Sequence, residues 1–196
     1  GGQRFFERAE IKNAMAYMRL LEGRGNDAAL ERVINLPARG IGEKTIEAIR
    51  EHARHSDVSM WEAMRQLIAN KALPGRASGA IAGFIELIEN LSAKVMEMPL
   101  HLMTQTVIEQ SGLIAYHQAE KGEKGQARVE NLEELVSAAR NFENNEDDEE
   151  LTPLAAFLGH ASWDAGDAQA EEHEDGIQLM TLHSAKGLEF PYVFLV

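Results

Sequence analysis

The sequence predicts a mainly α-helical domain with a short β scrap at its C-terminal end. Apolar residues recur at three- and four-residue spacing through most of the chain. Capping residues and breakers punctuate those stripes. Only the C-terminal end departs from the pattern. Ile177–Leu182 and Pro191–Val196 are short runs of branched and aromatic residues that read as buried strands.

In chain order, Ile11, Ala14, Met15, Met18 and Leu21 form the first stripe, ended by Gly23 and Gly25. Asn26 or Asp27 can cap a short second helix carrying Leu30, Val33 and Ile34, which Pro37 stops. A third helix is expected from about Glu43 to Arg54. Ser59 and Glu62 have the spacing of a capping box, ahead of Trp61, Met64, Leu67 and Ile68. After Pro74-Gly75, the residues Ala77, Ile81, Phe84, Leu87, Ile88 and Leu91 mark a long helix. Pro99 opens another, with Met103, Val107 and Ile108, ended by Gly112. A loop rich in glycine and lysine, 120–126, precedes the stripe Val129, Leu132, Leu135, Val136 and Ala139. Thr152-Pro153 is an N-cap with proline at the first helical position, before Leu154, Phe157, Leu158 and Ala161.

The chain has 196 residues, 44% of them hydrophobic, enough for one domain with its own core. It contains no cysteine, which excludes disulfides and thiolate metal sites. No apolar run reaches the length of a membrane span and no signal-peptide core is present. A cytoplasmic protein is the expectation. The net charge of −13 argues against a nucleic-acid partner only until its distribution is considered. Six acids lie in 143–150 and six in 164–175, with no base in either stretch. Such runs read as solvated loops, and without them acids and bases nearly balance. Residues 1–55 carry ten Lys/Arg and eight Asp/Glu, so this part can face a phosphate backbone.

The sharpest local signal is 36–46, Leu-Pro-Ala-Arg-Gly-Ile-Gly-Glu-Lys-Thr-Ile. A helix, a tight Gly40-Ile41-Gly42 turn and a new helix make a helix-hairpin-helix pattern. Glycines allow a sharp turn and a close ligand. The amides of Gly40 to Lys44 would point outward at a helix N-terminus, where an anion is favoured. Arg39 and Lys44 add charge, and Thr45 follows. Such a turn grips a phosphate without reading bases; a plain packing turn is the alternative. Lys121, Lys124 and Arg128 make a second basic spot, or a solvated loop. His52 and His55 lack a third ligand nearby, so no metal site is expected. Trp61 and Trp163 sit on apolar stripes as core or interface anchors. Lys186-Gly187-Leu188-Glu189 places a cation, a flexible backbone and a carboxylate beside a strand end, where α/β proteins hold ligands.

Taken together, these residues resemble the UvrD/Rep/PcrA-type superfamily-one DNA helicases. Residues 1–12 and 16–20 are similar to the motif that opens the insertion in the second motor domain. Arg39-Gly40-Ile41-Gly42 resembles the insertion's duplex-gripping turn, 125–135 the UvrD branch, and Thr181–Glu189 with Phe190 helicase motif V. Asn13 departs from the family, which usually has aspartate there; a local change in capping or pairing is expected. The resemblance implies an ATP-driven motor of four subdomains that moves 3′ to 5′ on single-stranded DNA. It implies that 1–22 opens the insertion with a 2A/2B junction helix and that 23–165 is a helical 2B-like subdomain. An acidic linker at 166–176 then leads to strands and motif V of the RecA-like 2A domain at 177–196. By that resemblance Thr181 and His183 face single-stranded DNA, and Gly187 and Glu189 face the nucleotide. It also implies ATP and Mg²⁺ in the full-length protein, double- and single-stranded DNA as partners, and contact with subdomains 1A, 1B and the rest of 2A. Mismatch- or excision-repair proteins are further expected partners, in the bacterial nucleoid; the alternative function is a protein-docking module for such partners with no DNA contact of its own.

No Gly-x-x-x-x-Gly-Lys-Ser/Thr phosphate loop occurs in the chain. A lone motif V cannot position a hydrolytic water. The purified chain is therefore expected to release no phosphate from ATP, with or without single-stranded DNA; DNA-stimulated release would contradict this.

Overall fold

The computed structural model describes residues 4–145, 150–166, 186 and 193–195. A 3₁₀ turn at Phe5–Glu7 leads into α1 (Ala9–Glu22), α2 (Asp27–Val33), α3 (Glu43–Ser56), α4 (Met60–Ala69) and α5 (Gly75–Val95). α6 (Leu100–Gln110), α7 (Leu113–Gln118), α8 (Glu123–Asn145) and α9 (Pro153–Gly166) follow. The described residues are thus helical, with no strand among them. The strands predicted at 177–182 and 191–196 lie outside the described residues, except Val193, Phe194 and Leu195. Those three are exposed and form no regular structure.

α1 is the axis of the helical body and packs against α2, α5, α6, α8 and α9. Ala14, Met15, Ala16, Tyr17 and Met18 are buried in succession, so α1 is buried over most of its circumference rather than along one stripe. The caps follow the local chemistry. Asn26 Oδ1 accepts the Ala29 N–H at 3.0 Å and caps α2. Its neighbour Asp27 instead reaches across to accept the Met60 N–H at 2.9 Å, at the start of α4. Ser59 Oγ accepts the Glu62 N–H at 3.2 Å, and Thr152 Oγ1 accepts the Ala155 N–H at 3.1 Å. Asn13 Oδ1 accepts from Arg32 Nε at 2.8 Å. An aspartate there would make this an ion pair; asparagine makes it a neutral hydrogen bond.

Three expectations are corrected. α7 was not anticipated, because a helix this short shows one repeat of its period; Leu113 and His117 are its buried pair. α8 begins inside the predicted loop of 120–126. Glu143, read as part of an acidic loop, belongs to α8 and caps α6. Its Oε1 accepts the Leu100 N–H at 3.0 Å, and its Oε2 meets His101 Nδ1 at 2.9 Å. The two tryptophans also part company. Trp61 is buried edge-on to Phe84, whereas Trp163 is 77% exposed and is no core residue.

The hydrogen bond from His101, with that from the Leu100 amide, holds the Glu143 carboxyl below its usual range against the opposing effect of burial. A carboxyl depressed in the folded state stabilises above its unfolded pKa of about 4.3, and that contribution is lost as pH falls through the folded value. Glu143→Ala is expected to cost about 1 kcal/mol near neutral pH, as for other lost helix caps. Urea titrations should show the gap between wild type and variant shrinking below about pH 4.

Candidate nucleic-acid interface

The turn between α2 and α3 is assembled by Asn35. Its Oδ1 accepts the N–H groups of Arg39 at 2.8 Å and Ile41 at 3.2 Å, drawing the chain into a tight loop. Gly40 sits at φ +80°, where a Cβ is strained. Ile41 is fully buried and plugs the turn into the core. Gly42 then extends the chain at φ −82°, ψ 172° and serves as N-cap of α3.

The predicted site residues divide into two groups. Arg39 and Ile41 face inward. Arg39 Nη1 donates to the Val33 carbonyl at 2.9 Å, and its Nη2 donates to the Ser111 carbonyl at 3.1 Å and to the Tyr17 hydroxyl. The guanidinium lies 5.7 Å from the Tyr17 ring centre and 5.4 Å from that of Phe84. Arg39 is therefore a clamp inside the fold and offers no free charge to a ligand. The physical reason is the end of α2, whose last carbonyls lack intrahelical donors. Ile41 spends its N–H on Asn35, so its amide is not available either.

Gly40, Gly42 and Lys44 are exposed. The N–H groups of Gly42, Glu43 and Lys44 open α3 and have no acceptor within the described residues. Lys44 has no ion pair among the described residues. The Glu43 carboxylate is drawn back along the helix to within 3.6 Å of Arg50. Thr45 is half-buried, its amide held by the Gly42 carbonyl at 3.1 Å. The result is a patch of outward amides at a helix N-terminus with one unpaired cation, a geometry that favours an anion. Nothing lies within 4 Å of where a Gly42 Cβ would stand. The dihedrals of Gly42 suit any residue, so the fold itself does not demand glycine there, whereas Gly40 at φ +80° occupies the region that favours glycine.

The second basic spot also divides. Lys121 and Lys124 are exposed and without ion pairs among the described residues. Arg128 is held by Glu120 Oε2 at 2.6 Å, while Glu120 Oε1 binds His117 Nδ1 at 2.7 Å. The His117 bond leads in holding the Glu120 carboxyl below its usual range. Gly125 opens this end of α8 so tightly that a Cβ would stand 2.5 Å from the His117 carbonyl. His52, considered above as a ligand, hydrogen-bonds Gln66 at 2.9 Å. Thr181, His183, Gly187 and Glu189 lie outside the described residues.

Sequence reasoning missed Asn35, Tyr17 and Ser111, which together hold the hairpin. Only Asn35 left a signal, a turn-forming residue four positions before Arg39. The Ser111–Gly112 turn also packs on the hairpin, with Pro37 Cγ 3.4 Å from the position of a Gly112 Cβ.

The chain belongs to the UvrD-like helicase C-terminal domain family, which matches residues 1–196. It is 55% identical to DNA helicase II of Escherichia coli K12, over all of this chain and 27% of that protein. It is 38% identical to the ATP-dependent DNA helicase PcrA of Leuconostoc citreum and 35% identical to that of Bacillus subtilis, again over the whole chain and 27% of each. The chain thus spans about a quarter of the length of these relatives.

The two exposed glycines should behave differently toward folding. Gly40→Ala is expected to destabilise the chain by about 1–2 kcal/mol, the cost of left-handed backbone for an L-residue. Gly42→Ala should change stability by no more than about 0.5 kcal/mol, because the unfolded-state gain of alanine is offset by its poor fit at the N-cap of α3. Chemical denaturation of both variants checks the contrast.

Proposed function

We propose that this chain is the duplex-DNA-binding regulatory subdomain of an ATP-dependent 3′ to 5′ DNA helicase that unwinds DNA in nucleotide-excision and mismatch repair. The observation that carries this reading is the unspent amide patch of Gly42, Glu43 and Lys44 beside an unpaired lysine. A duplex phosphate seated there would meet donors and positive potential without base contacts. The printed names of the relatives, DNA helicase II and ATP-dependent DNA helicase PcrA, support the setting. In that setting ATP and Mg²⁺ act in the motor subdomains, with Gly187 and Glu189 near the nucleotide and Thr181 and His183 near the single strand. Lys121 and Lys124 supply a second cationic spot for the backbone.

In the full-length helicase, Gly42→Val is expected to weaken duplex binding while leaving the helices folded, because its side chain would occupy the phosphate's space. Lys44→Ala should weaken binding by roughly one phosphate contact and lower the salt slope by about one unit. Neither variant should change sequence preference. Unchanged duplex affinity of folded Gly42→Val across a range of salt would remove the hairpin from the DNA interface.

A further inference from the structure

We propose that the cleft between α1, α2 and α9 is a docking site for an acidic peptide segment of a partner protein, one with a small apolar side chain between its carboxylates. The cavity has a volume of about 460 Å³ and is lined by Lys12, Arg19 and Arg32, with no carboxylate among its lining residues. Lys12 and Arg19 lie two helical turns apart on the same face of α1, and Arg32 faces them from α2. None of the three has an ion pair among the described residues.

Arg19 carries the argument. It is half-buried, and among the described residues its side chain makes one hydrogen bond, to the neutral Ser162 Oγ at 3.1 Å. Burial holds its guanidinium below the usual arginine value. Arg39 shows how this fold satisfies an enclosed cation, with carbonyls and ring faces; Arg19 has neither. A cation withdrawn from water without a counter-charge is costly, and an incoming carboxylate would relieve that cost. Among the described residues the Arg32 side chain bonds only to the neutral Asn13, which leaves it without a counter-charge there.

The floor selects among anions. Ala16, Ala29, Ala161 and Ala165 leave a shallow apolar bed that suits a small side chain. A bare phosphate gains nothing from that bed. Phe6, the cleft's aromatic residue, is buried and already packed edge-on against Phe157 and His160, so no ring face is free to stack a base. Charge and floor together fit an acidic, partly apolar peptide. The site shares no residue with the hairpin patch, so it stands or falls separately from DNA binding.

The test titrates the chain into a fluorescein-labelled dodecapeptide of Glu-Ala-Ala repeats, with a Gln-Ala-Ala peptide as control, reading anisotropy. The glutamate peptide should bind and the glutamine peptide should bind about tenfold or more weakly. Arg19→Gln should weaken binding about tenfold. Asn13→Asp, which places a carboxylate on Arg32 without touching the core, should weaken it similarly. Ala165→Leu keeps every charge and should abolish binding by filling the bed. Circular dichroism of each variant confirms folding. Equal affinity for wild type, Arg19→Gln and Asn13→Asp would overturn the proposal. So would displacement of the peptide by a short duplex oligonucleotide whose own binding is lost in Arg19→Gln, since the cleft would then be a phosphate site.

Discussion

The Arg39 guanidinium ties the hairpin to the body of the protein. It joins the end of α2, through the Val33 carbonyl, to the end of α6, through the Ser111 carbonyl, and rests against rings from α1 and α5. Tyr17 extends the chain of contacts by accepting from Arg39 and donating to the Leu36 carbonyl. Burial raises the Tyr17 pKa despite the nearby cation, so the hydroxyl keeps its proton and its donor role. Without the guanidinium the Val33 carbonyl would still accept the Leu36 N–H at 3.0 Å, whereas the Ser111 carbonyl would lose the side-chain donor that ties α6 to the turn. The half-buried guanidinium rests on two ring faces, and its fork of N–H groups reaches carbonyls at the ends of two helices at once.

Fixing the turn from behind is what allows its front to stay open. Asn35 and Arg39 consume the inward-facing groups, and Ile41 anchors the loop apex in the core. The amides that remain are those at the start of α3, preorganised toward solvent. An anion arriving there meets donors that need no rearrangement, which lowers the cost of binding. The two basic residues that bracket the turn in sequence therefore have opposite tasks. Arg39 builds the surface and Lys44 charges it.

Net charge conceals this local arrangement. The chain is acidic as a whole, yet Lys44, Lys121, Lys124 and the cleft residues Lys12 and Arg19 have no acidic partner among the described residues. Acidic side chains elsewhere are occupied in structure: Glu143 caps α6, Asp27 caps α4, and Glu120 joins α7 to α8. At physiological ionic strength fields reach only about 8 Å, so an anion near the start of α3 would respond to the nearest groups rather than to the total.

Most of the helices and several of their caps were legible in the sequence, because each depends on neighbours along the chain. Periodicity marks α1 and α5, Thr152-Pro153 starts α9, and Gly40-Ile41-Gly42 between two stripes marks the turn. The resemblance to the UvrD-type helicases was legible for the same reason, as it rests on ordered local motifs. What the sequence could not decide was which side chains face inward. Arg39 and Lys44 look alike as flanking bases. Only the arrival of Tyr17, Phe84 and Ser111 from distant helices turns the first into a clamp and leaves the second free. Glu143 changed from loop acid to helix cap for the same reason, because the Leu100 amide and His101 lie more than 40 positions away. Local pattern determined the elements; the direction of each polar side chain depended on buried donors and acceptors that only tertiary packing brings within reach.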